Sequence, residues 1–412
     1  MLRYNKTAFI VYGLYLVHVF AGNLITSVHA VYLLSKGITY FQLNSLTSIV
    51  LFVGILLEVP TGIIGDRFGH KVSFQLSMFL SALRRACIPF VTSFDALVIL
   101  AVVSAISDAC WSGSFTAWYM ASLKVKGTDA ENVNLFSNLN IVASIAGIAA
   151  GFIGGYIGVY SIPMNYYISC VLGILCVVVL FFIKDYERQN QKNNLSGEDN
   201  KKKTNTVRQI IKTSVAFFAQ SKKQVYLIIA GMFIGYIVIS GIDDLWQPLL
   251  LKKENSTTVI LGIAWTMIRS GTLLSAVISK KLSPYRKYYR LFKFALILLS
   301  SASLFAMAYT KSWLVGAFCF SLHALVWVTF SALNNGILYS FIPDKAKATI
   351  LSTISMIYSL AGIIGLSIFG FIADINLPLA FAVAAISMCA ILFTVFIDKD
   401  YEKNKLLKKD YI

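Results

Sequence analysis

A chain of 412 residues with 57% hydrophobic and 13% charged side chains, and a mean hydropathy of +0.72, is too apolar for a soluble domain, which carries about 25% charged residues. Its apolar runs mostly exceed the ~18 residues that separate a spanning helix from a buried core helix, and they lack the ~10-residue alternation of a membrane barrel. The net charge of +17, from 36 Lys and Arg against 19 Asp and Glu, comes without a folded basic surface for nucleic acid, and an anionic lipid bilayer is the expected counterpart.

The first run, 8–34, is too long for a signal-peptide core and lacks a small-residue cleavage site, so the mature chain is expected to start at or near Met1. Further runs follow at 43–65, 72–92, 96–120, 133–158 and 163–183. The segment beginning KDYERQNQKNN cannot bury a core and reads as a basic linker over 184–222. Beyond it lie 223–248, 257–279, 291–309, 312–338, 348–373 and 377–397, then a tail over 398–412. Two bundles are therefore expected, 1–183 and 223–397, in an all-α membrane protein with twelve transmembrane helices. Most Lys and Arg fall on one side of these runs, in the linker, SKKLSPYRKYYR and the tail, while the other side holds only Lys36, Lys252, Lys253 and Lys311. Both termini are thus expected on the cytoplasmic side.

The halves repeat. A shift of about 215 residues lays FSNLNIVASIAGIAAGFIGGYI on LSTISMIYSLAGIIGLSIFGFI, so that Gly147 falls on Gly362 and Gly155 on Gly370, and it superposes the two KDYE strings. Two halves of equal orientation form the parallel repeat of a secondary transporter, whose substrate site is expected between the halves near mid-membrane.

Residues 56–71, LLEVPTGIIGDRFGHK, put a carboxylate in an apolar run that ends in a charge cluster. The tail of this stretch, Gly62-x-x-x-Asp66-Arg67-x-Gly69-His70-Lys71, resembles the loop between the second and third helices of the major facilitator superfamily, with His70 where a basic residue is usual. The string EVPTG, with WQP at 246–248, resembles a bacterial, drug-exporter-like branch. The resemblance implies the superfamily's fold of two six-helix pseudo-symmetric bundles in a bacterial cytoplasmic membrane. It also implies gating by Gly62, Asp66, Arg67, Gly69 and Lys71, for which a charge-assisted latch is the physical basis; a purely topological role for the cations is the plainer alternative.

Glu58 stands eight residues before Asp66, roughly 12 Å deeper at 1.5 Å per residue, beside the helix-bending Pro60. It is either a proton carrier or a group bonded to backbone at the proline break. Arg84 and Arg85 in the third run and Asp108 in the fourth are expected within roughly 6 Å in depth and hence to pair. Asp108 is then a proton-coupling residue or half of a structural ion pair; fourth helices of the superfamily usually line the central cavity. The 215-residue shift lays Asp108 on His323, either a second titratable cavity group or a satisfied core histidine. Trp111, Trp118 and Trp327 are candidates for an aromatic cavity or for interfacial anchors, Asp243 for its aqueous mouth, and Arg269 needs a partner. GIAAGFIGG, with Gly147, Gly151, Gly154 and Gly155, resembles the superfamily's antiporter motif with Phe152 in the place of proline, and its small residues also suit generic close packing.

The sequence has no nucleotide-binding P-loop, its six cysteines lack metal or disulfide spacing, and no nucleophile stands beside a base. No metal, cofactor or enzyme activity is expected. The reading is a monomeric secondary transporter exporting small amphipathic compounds in exchange for protons; the alternative is proton-coupled uptake of a nutrient such as a sugar or nucleoside.

Overall fold

The computed structural model describes residues 2–122, 129–183, 207–282, 285, 288–343 and 346–397, less the side chains of 2–8, 58–60, 62–64, 66–68, 121, 129–137, 207–210, 348 and 396–397. In chain order the helices are α1 (Leu2–Thr26), α2 (His29–Leu34), α3 (Tyr40–Phe68), α4 (His70–Cys87), α5 (Phe94–Trp111), α6 (Ser114–Ser122), α7 (Asp129–Tyr160), α8 (Ile162–Phe182), α9 (Val207–Gln220), α10 (Lys223–Ile242), α11 (Trp246–Leu251), α12 (Thr258–Leu282), α13 (Tyr289–Tyr309), α14 (Trp313–Tyr339), α15 (Lys347–Ile375) and α16 (Leu377–Ile397). Among the described residues 11 helices are long and apolar enough to cross a membrane. The remaining expected span is α4, which carries Lys71, Arg84 and Arg85 together with His70, Gln75 and three serines.

Local chemistry starts and stops these helices. Thr39 opens α3 with a reciprocal capping box, its Oγ1 accepting from the Gln42 amide while the Gln42 side chain accepts from the Thr39 amide. Ser93 and Ser312 accept from Ala96 and Val315 at the starts of α5 and α14. The fourth expected run is broken in two at Gly113, whose φ of +76 only glycine adopts freely, so α5 ends at Trp111 and α6 restarts at Ser114.

The chain forms two compact units. One groups the described residues of Met1–Lys201 with Asn255–Arg269; the other groups those of Lys202–Glu254 with Ser270–Ile412. The first half of α12 is thus grouped with the helices of unit 1. The expected linker also contains α9, which packs on α15 through a 2.7 Å hydroxyl pair, Ser214 with Thr353.

Within unit 1, α4 and α5 are locked by a serine register. Ser73 donates to the Cys110 carbonyl at 3.0 Å, and Ser107 donates to the Ser77 carbonyl at 2.8 Å. Few positive charges were expected outside, and two of them do the same work in the two units. Lys36 Nζ donates to the Pro89 and Val91 carbonyls just past α4, and Lys253 Nζ to the Met307 and Thr310 carbonyls at the end of α13. Each ammonium satisfies carbonyls left open at a helix C-terminus.

Candidate functional site

In unit 1 the polar and aromatic groups of α1, α4 and α5 gather on one wall. Asp108, Trp111 and Ser112 share a face of α5, being three and four residues apart; Asp108 and Ser112 are exposed and Trp111 half-buried. The Trp111 ring stacks on His18 of α1 with centroids 4.4 Å apart and on Phe115 at 4.8 Å, and Phe115 stacks on Tyr15 at 5.0 Å. Tyr12 meets Tyr119 edge-on at 5.6 Å and accepts from the Asn138 amide at 3.3 Å. Tyr12, Tyr15 and His18 recur every third residue and so follow one side of α1. The result is an aromatic ladder ending at a carboxylate.

Asp108 makes no ion pair with Arg84 or Arg85, contrary to expectation, although both cations lie within electrostatic reach of it. The serine register gives the reason. With Ser107 opposite Ser77, Asp108 lies level with about residue 76 of α4, and Arg84 is eight residues, roughly 12 Å, farther along the helix. The depth expected from sequence erred because α4 ends at Cys87 rather than running to residue 92, which shifts its register against α5. Arg85 is instead 5% exposed within unit 1, with Nε and Nη1 lacking hydrogen-bond partners. A methyl group on Gly22 of α1 would come within 3.7 Å of its Nη2, and one on Gly173 of α8 within 3.6 Å of its Nη1.

Arg269, for which the sequence named no partner, donates from Nη2 to Asn23 Oδ1 at 3.3 Å and lies 4.3 Å over the Trp265 ring. Trp265 Nε1 donates to the same Asn23 oxygen at 3.2 Å. The glycines of α7 make room for this cluster. A methyl on Gly147 would approach Asn23 Oδ1 at 3.3 Å, one on Gly151 would strike Trp265 at 2.4 Å, and one on Gly155 would strike the Gly262 Cα at 2.6 Å. Gly154 faces the other way, against the Leu24 carbonyl of α1. The glycine string is thus a pair of close-packing faces, with Gly147, Gly151 and Gly155 turned to α12.

Two expected cavity residues are core. Trp118 is 1% exposed in a cluster with Phe74 and Tyr119, and Trp327 is buried against Gly235, where a methyl would lie 2.1 Å from the ring. His323 is also sealed inside unit 2, 2% exposed, its Nδ1 2.7 Å from Ser300 Oγ. That is the satisfied core histidine. Asp243 is the exposed C-cap residue of α10. Of the expected gate, Gly69 has φ +94 between α3 and α4, and Lys71 is buried with Nζ donating to the Ile183 carbonyl at 2.5 Å, at the C-cap of α8. Gly62 lies on α3, as do Glu58, Asp66 and Arg67, whose side chains fall outside the described residues. Sequence reasoning missed Tyr15, Asn23 and Trp265; the three-residue spacing of Tyr12, Tyr15 and His18 was the available signal for the first.

The family profile described as Major Facilitator Superfamily matches residues 11–366. An "Uncharacterized MFS-type transporter YxaM" of Bacillus subtilis (strain 168) is 25% identical over 398 residues, covering 91% of this chain and 92% of that protein. Among solved structures, that of the nucleoside transporter NupG covers 95% of this chain and 98% of its own, with a TM-score of 0.74 and 14% identity. That of a D-xylose-proton symporter covers 93% and 97%, with a TM-score of 0.65 and 13% identity. At these identities the two structures speak to the fold.

Proposed function

The chain belongs to the Major Facilitator Superfamily and is a multi-pass membrane transporter, and from that premise we propose that it exports small amphipathic compounds, organic cations above all, in exchange for protons by alternating access. The observation that carries this reading is the exposed Asp108 carboxylate at the end of the ladder of Trp111, His18, Phe115 and Tyr15. Ring faces attract both apolar bodies and cations, and an intramembrane carboxylate that meets a cation gives up its proton to do so. Asp108 is assigned the exchange of proton for cargo, Glu58 a supporting proton position on α3, and Asp66 and Arg67 the gate that the motif resemblance implies. The lysine-rich side is assigned to the cytoplasm of a bacterial cell, and both termini with it.

Uptake by symport is the second reading, favoured by the Asn23 oxygen that two donors, Trp265 and Arg269, share beside an indole face. Such a set suits a sugar hydroxyl or a nucleobase, the cargo class in the names of the two solved structures of like fold. Proteoliposomes with an internal pH dye separate the two. Export predicts alkalinisation of an acidic interior when a cationic amphiphile is added outside and silence toward sugars and nucleosides. Acidification on adding a nucleoside or a sugar, with no response to cations, would replace export by uptake.

A further inference from the structure

Arg85 is the buried charge that the exchange of proton for cargo leaves unused. Its Nε and Nη1 are enclosed without hydrogen-bond partners, and Arg84 beside it leaves its own Nε unpaired in the same way. A guanidinium held in apolar surroundings without an acceptor carries a cost in stability, and a carboxylate, which takes two parallel N–H donors, is the group that matches it. The third nitrogen, Nη2, has an opening beside it. Where a methyl on the half-buried Gly22 of α1 would stand, Nη2 at 3.7 Å is the only heavy atom within 4 Å among the described residues, apart from the backbone of α1 itself. Gly154 and Gly155 of α7, by contrast, have the backbone of neighbouring helices pressed against that position. One turn earlier on the same face of α1 stands His18, whose Nδ1 is also buried without a hydrogen-bond partner and lies within electrostatic reach of Arg85.

The ring ladder fixes the depth of this opening relative to Asp108. His18 and Trp111 stack at 4.4 Å and so share one level. From that level Gly22 is four residues on along α1, about 6 Å, and Asp108 is three residues back along α5, about 4.5 Å. As the first and fourth spans of an alternating chain, α1 and α5 run in opposite directions, so both steps lead the same way. The Arg85 backbone is farther along α4, and its side chain, leaning toward the N-terminus of the helix as helical side chains do, brings Nη2 to Gly22. A cation and a carboxylate thus stand at similar depth on one side of the ladder without pairing. We propose that Arg85 receives a carboxylate at this opening, so that the cargo presents an ammonium to Asp108 and a carboxylate to Arg85 at one end and lays its apolar body on the ladder. This is the class of an apolar α-amino acid. The refinement rests on the assignment of cargo to Asp108: a purely cationic amphiphile would leave Arg85 unpaired, and a purely anionic one would leave Asp108 without its cation.

Titration calorimetry of the purified full chain in detergent tests this with four probes: L-phenylalanine, phenethylamine, which lacks the carboxylate, 3-phenylpropanoate, which lacks the ammonium, and acetate. The wild-type chain should bind L-phenylalanine at least about tenfold more tightly than phenethylamine, the smallest share expected of a hydrogen-bonded charge pair. Arg85→Met should remove that advantage and leave phenethylamine binding within about twofold, since the ammonium end does not meet Arg85. Gly22→Ala, whose methyl would stand at ordinary contact distance from Nη2, occupies the opening in a helix that alanine favours, and it should reduce the advantage as well; it gives the answer if Arg85→Met does not fold. Equal binding of L-phenylalanine and phenethylamine, absence of binding included, would overturn the proposal. So would an advantage that survives both variants, or acetate binding as tightly as L-phenylalanine, which would make this a site for a free anion. The cargo assignment fails separately: phenethylamine and 3-phenylpropanoate both indifferent to Asp108→Asn, with the Arg85-dependent advantage intact, would overturn the role of Asp108 and leave the carboxylate site standing. Binding is read without a gradient, so the outcome is independent of the direction of transport.

Discussion

At the level of single residues, the buried cations separate what composition can indicate from what only packing determines. Charges inside apolar runs were legible as anomalies, and Asp108, Arg84, Arg85 and Arg269 were all found that way. Their partners were not legible, because pairing depends on helix register, and a helix end misplaced by five residues shifts depth by roughly 7 Å. Arg269 found an amide and an indole. The tryptophans were ambiguous for a related reason: apolar rings serve cavity and core alike, and only neighbours such as Gly235, invisible as neighbours in the sequence, place Trp327 inside. Burying a charge without a full set of partners costs free energy that an apolar side chain of similar length does not, so Arg85→Met should unfold at the same temperature or higher in detergent. A marked fall in Tm would mean that the guanidinium has a stabilising partner.

At the level of elements, glycine contacts and lysine caps hold the helices together. Gly155 lies against Gly262 so closely that a methyl on it would sit 2.6 Å from the opposing Cα and 2.7 Å from the opposing amide nitrogen. Backbone cannot yield as a flexible side chain does, and overpacking of this kind costs about 1–3 kcal/mol. Gly155→Val is therefore expected to lower Tm measurably, whereas Gly54→Ala, with nothing within 4 Å of its added carbon, should change it little. Equal effects would mean that α7 and α12 do not depend on this contact. Lys36 and Lys253 give a paired prediction. Each donates to two carbonyls at a helix end, and Lys36→Met or Lys253→Met should each destabilise by about 1 kcal/mol, discounted from the usual strength of charged hydrogen bonds because both are partly exposed. A change confined to membrane orientation, with Tm intact, would return these lysines to a purely topological role. The helices themselves were largely legible, since long apolar runs bounded by Ser, Thr, Gly and Pro announce their own limits. The break at Gly113 and the helix α9 were not: the first depends on one positive φ inside an apolar run, and the second lies in a stretch read as too polar for structure.

At the level of the whole molecule, the duplication was legible because two halves that bury the same faces keep the same small residues, as Gly147 with Gly362 and Gly155 with Gly370. The packing of Asn255–Arg269 on unit 1 was not, since hydropathy tells which residues meet lipid and is silent on which helices they touch. The functional claim turns on Asp108 as the group that trades a proton for cargo. It is tested most directly by comparing two modes of transport of one cationic amphiphile in proteoliposomes bearing wild-type or Asp108→Asn protein. One is accumulation driven by an imposed proton gradient; the other is exchange of labelled for unlabelled compound at equal pH. Coupling through Asp108 requires that the variant lose gradient-driven accumulation by at least about tenfold, equivalent to ~1.4 kcal/mol of coupling, while exchange persists. Gradient-driven accumulation at the wild-type rate in Asp108→Asn would contradict it.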